Sequence, residues 1–152
     1  MHIVLVEPEI PGNTGNIARL CAATGCELHL VKPLGFSVDD RYLKRAGLDY
    51  WHLVTIHYYE SFSEVAAQYA GRNFYFNTTK TRQPYTSVQY TADDLLVFGK
   101  ETAGLPAEIL DSNRANCVRI PMLDDARSLN LSNAAAIVVY EALRQVGFPD
   151  LR

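Results

Sequence analysis

The sequence is short of the features that mark several large protein classes. No apolar run in its 152 residues approaches the roughly 20 needed to span a bilayer. The opening Met1-His2-Ile3-Val4-Leu5-Val6-Glu7 has no basic segment ahead of its apolar run, so a first strand is expected there, not a secretory signal. Cysteine is scarce and odd in number. Cys21, Cys26 and Cys117 form no CxxC pair, which argues against a disulfide framework and against zinc-ligand spacing. Three reduced, mostly buried thiols in a cytosolic protein are expected. No histidine follows His57, so the later half of the chain cannot supply a Ser-His-Asp or Cys-His set. Internal repeats, low-complexity tracts and linkers are also missing. What is there is ordinary for one globular domain over residues 1–152: 48% hydrophobic and 20% charged residues, which excludes a disordered chain. The net charge of -3 speaks against a protein that coats nucleic acid nonspecifically, because such binding rests on neutralising phosphates.

Strand-like and helix-like segments alternate throughout. Short apolar runs predict strands at His2–Val6, Glu27–Val31, Leu53–Ile56, Phe74–Phe76, Leu95–Phe98 and Cys117–Ile120. Helices are predicted at Asn16–Thr24, from Ser37 through Ala46, from the Ser61-Phe62-Ser63-Glu64 capping box to near Gly71, at Pro106–Leu110, and at Ala134–Val146 capped by Ser132. Continuous apolar strands alternating with helices predict an α/β fold, a mostly parallel sheet with helices on both faces. Thr78–Ala92 reads as a long surface loop. The last helix is apolar all round from Ala134 to Tyr140, which predicts burial on most sides and points to a subunit interface.

Three polar segments follow strands, where open α/β sheets bind ligands. Pro11-Gly12-Asn13-Thr14-Gly15-Asn16-Ile17-Ala18-Arg19 reads as a tight turn into a helix N-terminus. It lacks the GxGxxG spacing of a dinucleotide fold and carries a GxxG pattern like the backbone clamp of KH domains. Phe98-Gly99-Lys100-Glu101-Thr102-Ala103-Gly104-Leu105-Pro106 has the glycine spacing of a P-loop. It lacks the lysine and hydroxyl that should follow the second glycine, so an ATPase is excluded. The third segment runs from Arg119 to Asn133. It packs Ser128, Asn130, Ser132 and Asn133 between apolar residues, more polar groups than a helix cap needs. Asp124-Asp125 reads as a turn, not a magnesium site, so chemistry without a metal and without a histidine base is expected.

Taken together, Asn13–Arg19, Leu96–Pro106 and Arg119–Ala134 resemble the SPOUT class of RNA methyltransferases. The openings Glu7-Pro8-Glu9-Ile10-Pro11 and Arg45-Ala46-Gly47-Leu48-Asp49-Tyr50 are similar to its TrmL branch, and the resemblance spans essentially the whole chain. It implies a SPOUT fold with a C-terminal deep trefoil knot, a homodimer in the cytoplasm and no membrane partner. It also implies a cofactor, S-adenosyl-L-methionine, bent in the knot and leaving as S-adenosyl-L-homocysteine, with no metal. Cofactor contacts carry over to Asn77, Gly99, Gly104, Ile120, Met122, Ser128 and Leu129. The implied activity is methylation of the ribose 2′-hydroxyl of the wobble nucleotide, cytidine or modified uridine, in leucine tRNAs. The resemblance gives the proton step to Arg19. A guanidinium is almost never deprotonated in proteins, so orienting the ribose and stabilising oxyanion charge suits Arg19 better. Asn13, Glu101 and Asn130 would place Arg19 and the ribose. Lys100 departs from the proline that relatives often carry.

An acidic chain that binds tRNA needs local basic patches. Arg41, Lys44, Arg45, Lys80, Arg82, Arg114, Arg119, Arg127 and Arg144 are the candidates, joined across a dimer to which Tyr140 contributes. The alternatives are a SPOUT ribose methyltransferase that acts on another RNA site and, from another class, a noncatalytic RNA-binding protein that uses the Gly12–Gly15 loop. The latter leaves the polar load at Ser128–Asn133 unexplained.

Overall fold

The structure, a computed structural model, describes residues 1–38 and 50–152. Among these residues six strands form one sheet: β1 (His2–Val6), β2 (Glu27–Val31), β3 (Ile56–Tyr59), β4 (Phe74–Asn77), β5 (Leu95–Phe98) and β6 (Cys117–Val118). Their order is β3-β2-β1-β5-β4-β6, and every neighbouring pair is parallel. Among the described residues, the helices with both ends in view are α1 (Pro11–Thr24), α2 (Phe62–Gln68), α3 (Ala107–Ser112) and α4 (Leu131–Gln145).

Side chains alternate across the sheet and split the core in two. Ile3, Leu5, Leu28, Leu30, Leu96 and Phe98 face α1 and α4, packing with Ile17, Cys21, Ala135 and Val138. Val4, Val6, Val31, Leu95 and Val97 face the other way, with Val65 of α2 and Leu110 of α3. Each fully buried aliphatic side chain contributes roughly 1.5–3 kcal/mol of transfer free energy, so both layers are needed to hold so short a chain. The three cysteines are free and buried. Burial pushes the Cys21 and Cys26 thiols above their ordinary range, which makes them inert.

Several elements differ from the sequence reading. The third strand begins at Ile56, not Leu53: it pairs Leu28 with Ile56 and Val31 with Tyr59, while Leu53 is 61% exposed. The first helix begins at Pro11, five residues earlier than predicted, with Gly12 and Gly15 inside it. The GxxG pattern is therefore helix and not a clamp loop, which removes the basis of the KH-like reading. Pro106 is the residue before α3, not its first turn. The Ser61 hydroxyl meets Ser63 at 2.8 Å and caps no backbone group, while Glu64 accepts from the Glu60 N–H at 2.9 Å.

The last strand is two residues long, and its continuation bridges Arg119 to Pro84. Thr78–Ala92 is thus not a plain surface loop. It pairs at that bridge, turns through a short 3-10 helix at Tyr85–Ser87 and buries Tyr90. Asn130, not Ser132, caps the last helix. That helix is two-sided, with Ile137 and Tyr140 exposed at 37% and 47%. The helix predicted from Ser37 through Ala46, the segment Arg45–Asp49, and Arg41, Lys44 and Arg45 fall largely or wholly outside the described residues.

Candidate functional site

The strand order places β1 between β2 and β5, so consecutive connections leave in opposite directions and open a crevice at the carboxyl ends. A cavity of about 540 Å³ occupies it, lined by the segments that follow β1, β4, β5 and β6. All seven residues expected to contact a cofactor line this cavity: Asn77, Gly99, Gly104, Ile120, Met122, Ser128 and Leu129. Asn13, Glu101 and Asn130 line it too, whereas Arg19 does not.

One carboxylate organises the cavity wall. Glu101 accepts from the Glu9 N–H at 2.8 Å, the Ile10 N–H at 3.0 Å and the Asn13 side-chain amide at 3.0 Å. These backbone donors belong to the turn that starts α1. Ile10 supplies no side-chain cap, so a residue distant in sequence does the capping and its charge suits the helix dipole. Asn13 Oδ1 in turn accepts from Asn130 Nδ2 at 3.0 Å. Asn130 Oδ1 then caps α4, accepting from the Ser132 N–H at 2.9 Å and the Ser132 hydroxyl at 2.7 Å. The run Glu101–Asn13–Asn130–Ser132 fixes each amide orientation and ties the three sequence motifs together. Ser128 and Asn130 are exposed, so the burial cost that singled them out in the sequence does not apply. Capping accounts for Asn130.

The loop after β5 is clipped in two further ways. Glu9 accepts from the Thr102 N–H at 3.0 Å and the Thr102 hydroxyl at 2.8 Å. Lys100 pairs with Glu7 at 2.8 Å. The Glu7 carboxylate raises the Lys100 pKa, and Glu7 itself has a left-handed backbone (φ 53°), so the lysine ties down this turn where a proline could not. A Cβ on Gly99 would lie 2.1 Å from the Gly104 carbonyl carbon. The close approach at Gly99 is thus the loop's own return, closed by the Gly104 N–H on the Lys100 carbonyl at 2.8 Å.

Arg19 stands exposed on α1, its guanidinium 4.9 Å from the centre of the Tyr50 ring. Of the candidate basic residues, Lys80 and Arg127 line the cavity. Arg114 and Arg144 pair with Asp111 and Glu141, each three residues earlier in the chain. Arg119 donates to the Thr81 carbonyl at 3.4 Å. The sequence reading missed Ile10, Thr78, Thr79 and Lys80 as lining residues. The signal available for the last three was their place directly after a buried strand.

The cavity fits a nucleoside-sized ligand with an apolar wall and a few fixed polar groups. Asn77 lines the cavity and its side-chain amide donates at 3.3 and 3.4 Å, but its carbonyl oxygen is buried without a partner. An orphaned acceptor there is costly and marks a place for a ligand donor.

Residues 1–140 match the model of the SpoU rRNA Methylase family. The chain belongs to that family. Among relatives of this SpoU chain is the tRNA (cytidine(34)-2'-O)-methyltransferase of Yersinia pestis, 54% identical over 155 residues, covering 98% of this chain and 96% of the relative. A solved structure described as giving structural insights into the 2-OH methylation of C/U34 on tRNA superposes with a TM-score of 0.90 at 42% identity, covering 95% of each chain. The SpoU methyltransferase AviRb from Streptomyces viridochromogenes, solved with AdoMet, superposes at 0.82 with 28% identity, covering 96% of this chain and 60% of AviRb.

Proposed function

We propose that this SpoU-family chain is an S-adenosylmethionine-dependent tRNA 2′-O-methyltransferase that acts on the ribose of the wobble nucleotide, as cytidine and modified uridine of leucine tRNAs. The observation that carries the reading is the hydrogen-bonded union of three motifs around one cavity, in a chain more than half identical to an enzyme of that name. S-adenosylmethionine, when bound, supplies a methyl group already activated on a sulfonium. The protein must then hold, align and exclude water.

Asn77, Gly99, Gly104, Ile120, Met122, Ser128 and Leu129 hold the cofactor, with the free Asn77 oxygen taking a donor from it. Glu101 has its oxygens committed to three donors. It therefore positions Asn13 and the start of α1 and is not the base that takes the 2′-proton. Asn13 and Asn130 orient the ribose along the same wall. Arg19, on the exposed side of the helix that Glu101 caps, meets the RNA rather than the cofactor and steadies oxyanion charge on the 2′-oxygen.

The functional unit is a cytoplasmic homodimer of single-domain chains, residues 1–152 each, with the C-terminal segment threaded as a deep trefoil knot. The exposed Ile137 and Tyr140 on α4 support the dimer. Methyl transfer to bulk tRNA, followed by nucleoside analysis, tests the whole reading. Ribose-methylated wobble nucleotide is the expected product. A methylated base, or no product with intact cofactor binding, overturns it.

A further inference from the structure

The amino ends of the strands lie on the opposite edge of the sheet from the cavity, and they carry a second cluster of chemistry. His2 of β1, Glu27 and His29 of β2 and His57 of β3 sit on three neighbouring strands. The registers His2–Glu27 and His29–His57 place them together, on the face that also carries Val4, Val31 and Tyr59. His2 and His29 are 6% and 0% exposed, and methyl transfer at the far edge makes no use of them.

We propose that His2 Nδ1, His29 Nε2 and a Glu27 carboxylate oxygen form a binding site for a divalent transition-metal ion of the zinc and cobalt kind, and that Arg72 limits its affinity. The three ligand atoms lie within 4.8 Å of one another. His2 Nδ1 is 3.0 Å from His29 Nε2 and 3.8 Å from Glu27 Oε2. Two ligands on a tetrahedral ion with bonds of about 2.1 Å are about 3.4 Å apart, inside that span.

The outer contacts suit the same purpose. His29 Nδ1 is 3.1 Å from the Tyr59 hydroxyl, an arrangement that leaves Nε2 free to bind. His57 holds the Glu27 carboxylate at 2.8 Å and stacks on His29, with ring centres 4.7 Å apart. Two imidazoles and one carboxylate leave a fourth position for water on the half-exposed Glu27 side.

Arg72 opposes loading. Its Nη1 is 2.7 Å from His2 Nε2, and a guanidinium can only donate. Without metal, His2 therefore carries its proton on Nδ1 and gives it to His29, so hydrogen bonds run from Arg72 through His2 and His29 to Tyr59. To bind an ion at Nδ1, His2 must move that proton to Nε2 and Arg72 must leave. The guanidinium is partly exposed and has Asp93 at 3.9 Å as an alternative partner.

The test is equilibrium titration of the tag-free, EDTA-treated protein with Co²⁺, read by visible d–d absorption, with circular dichroism as the fold control. Wild type should bind one equivalent, with the intense bands of a four-coordinate site and no sulfur charge-transfer band. Glu27→Gln should weaken binding at least ~10-fold. Arg72→Met removes the charge and the competing donor, so binding should tighten about tenfold, a direction misfolding cannot produce. Absence of saturable binding in both wild type and Arg72→Met overturns the proposal. So does binding that Glu27→Gln leaves unchanged, or bands of sulfur ligation.

Discussion

At the scale of single residues, the side chains at the cavity are fixed by what they already hold. Glu101→Gln replaces one acceptor oxygen with a donor that faces donors. A hydrogen bond to a charged group contributes about 1.5–3 kcal/mol, so stability in chemical denaturation should fall by about that much, with turnover reduced more than cofactor affinity. An unchanged denaturation midpoint would show that the carboxylate is not the cap of α1. Asn130→Asp separates two roles of one side chain. It keeps the acceptor that caps α4 but sets a carboxylate oxygen against Asn13 Oδ1, where an amide now donates at 3.0 Å. Helix stability should stay within about 1 kcal/mol while methyl transfer drops. Methyl transfer left unchanged would assign Asn130 to capping alone. At Gly99, even one methyl group collides with the returning backbone of Gly104 and Leu105. Gly99→Ala should therefore abolish S-adenosylmethionine binding by calorimetry, and retained affinity would refute the loop closure.

At the scale of elements, α4 is fastened at its far end by Glu141. Arg144 donates two hydrogen bonds to it, at 2.8 and 2.9 Å, and Gln145 a third at 2.8 Å. These bonds favour the ionised form and lower its pKa to about 2. A carboxylate with a depressed folded pKa adds stability above its unfolded value near 4.5, and that stability disappears as pH falls toward 2. Glu141→Gln should be less stable than wild type at neutral pH, and the two should converge at about pH 2. A gap that persists there would sink the attribution. Gln145 also accepts from the Tyr90 N–H at 3.0 Å, so the same end of α4 anchors the Thr78–Ala92 segment.

The strands of the centre were legible in the sequence because they are buried on both faces and read as apolar runs. β3 was misplaced because Ile56-His57-Tyr58-Tyr59 mixes ring and polar groups, and only its register on β2 selects it. The start of α1 was hidden for a different reason. Pro11, Gly12 and Gly15 imitate a turn, and the cap that makes them helical comes from Glu101. The cavity was legible because its walls are the motifs themselves. The histidine cluster was not, since its successive histidines are 27 and 28 residues apart in sequence and meet only through parallel pairing. The usable signal was their shared phase on three adjacent strands.

At the scale of the molecule, the proposed dimer follows from what α4 leaves uncovered. The helix buries Leu131, Ala135, Val138, Val139, Ala142 and Leu143 against the sheet and α1. Ile137 and Tyr140, three residues apart on its other side, are the exposed apolar pair. A two-fold axis along that face buries both copies of each side chain, and each buried side chain contributes roughly 1.5–3 kcal/mol. A buried charge at the same place would be unpaired in both subunits. The double variant Ile137→Asp/Tyr140→Glu should therefore sediment as a monomer with unchanged helical content, while wild type sediments as a dimer. Arg19 is exposed and does not line the cavity of its own chain, so that monomer should keep cofactor affinity and lose methyl transfer. A monomer with full transfer would mean that one chain completes the site, and a variant that stays dimeric would move the interface to another face.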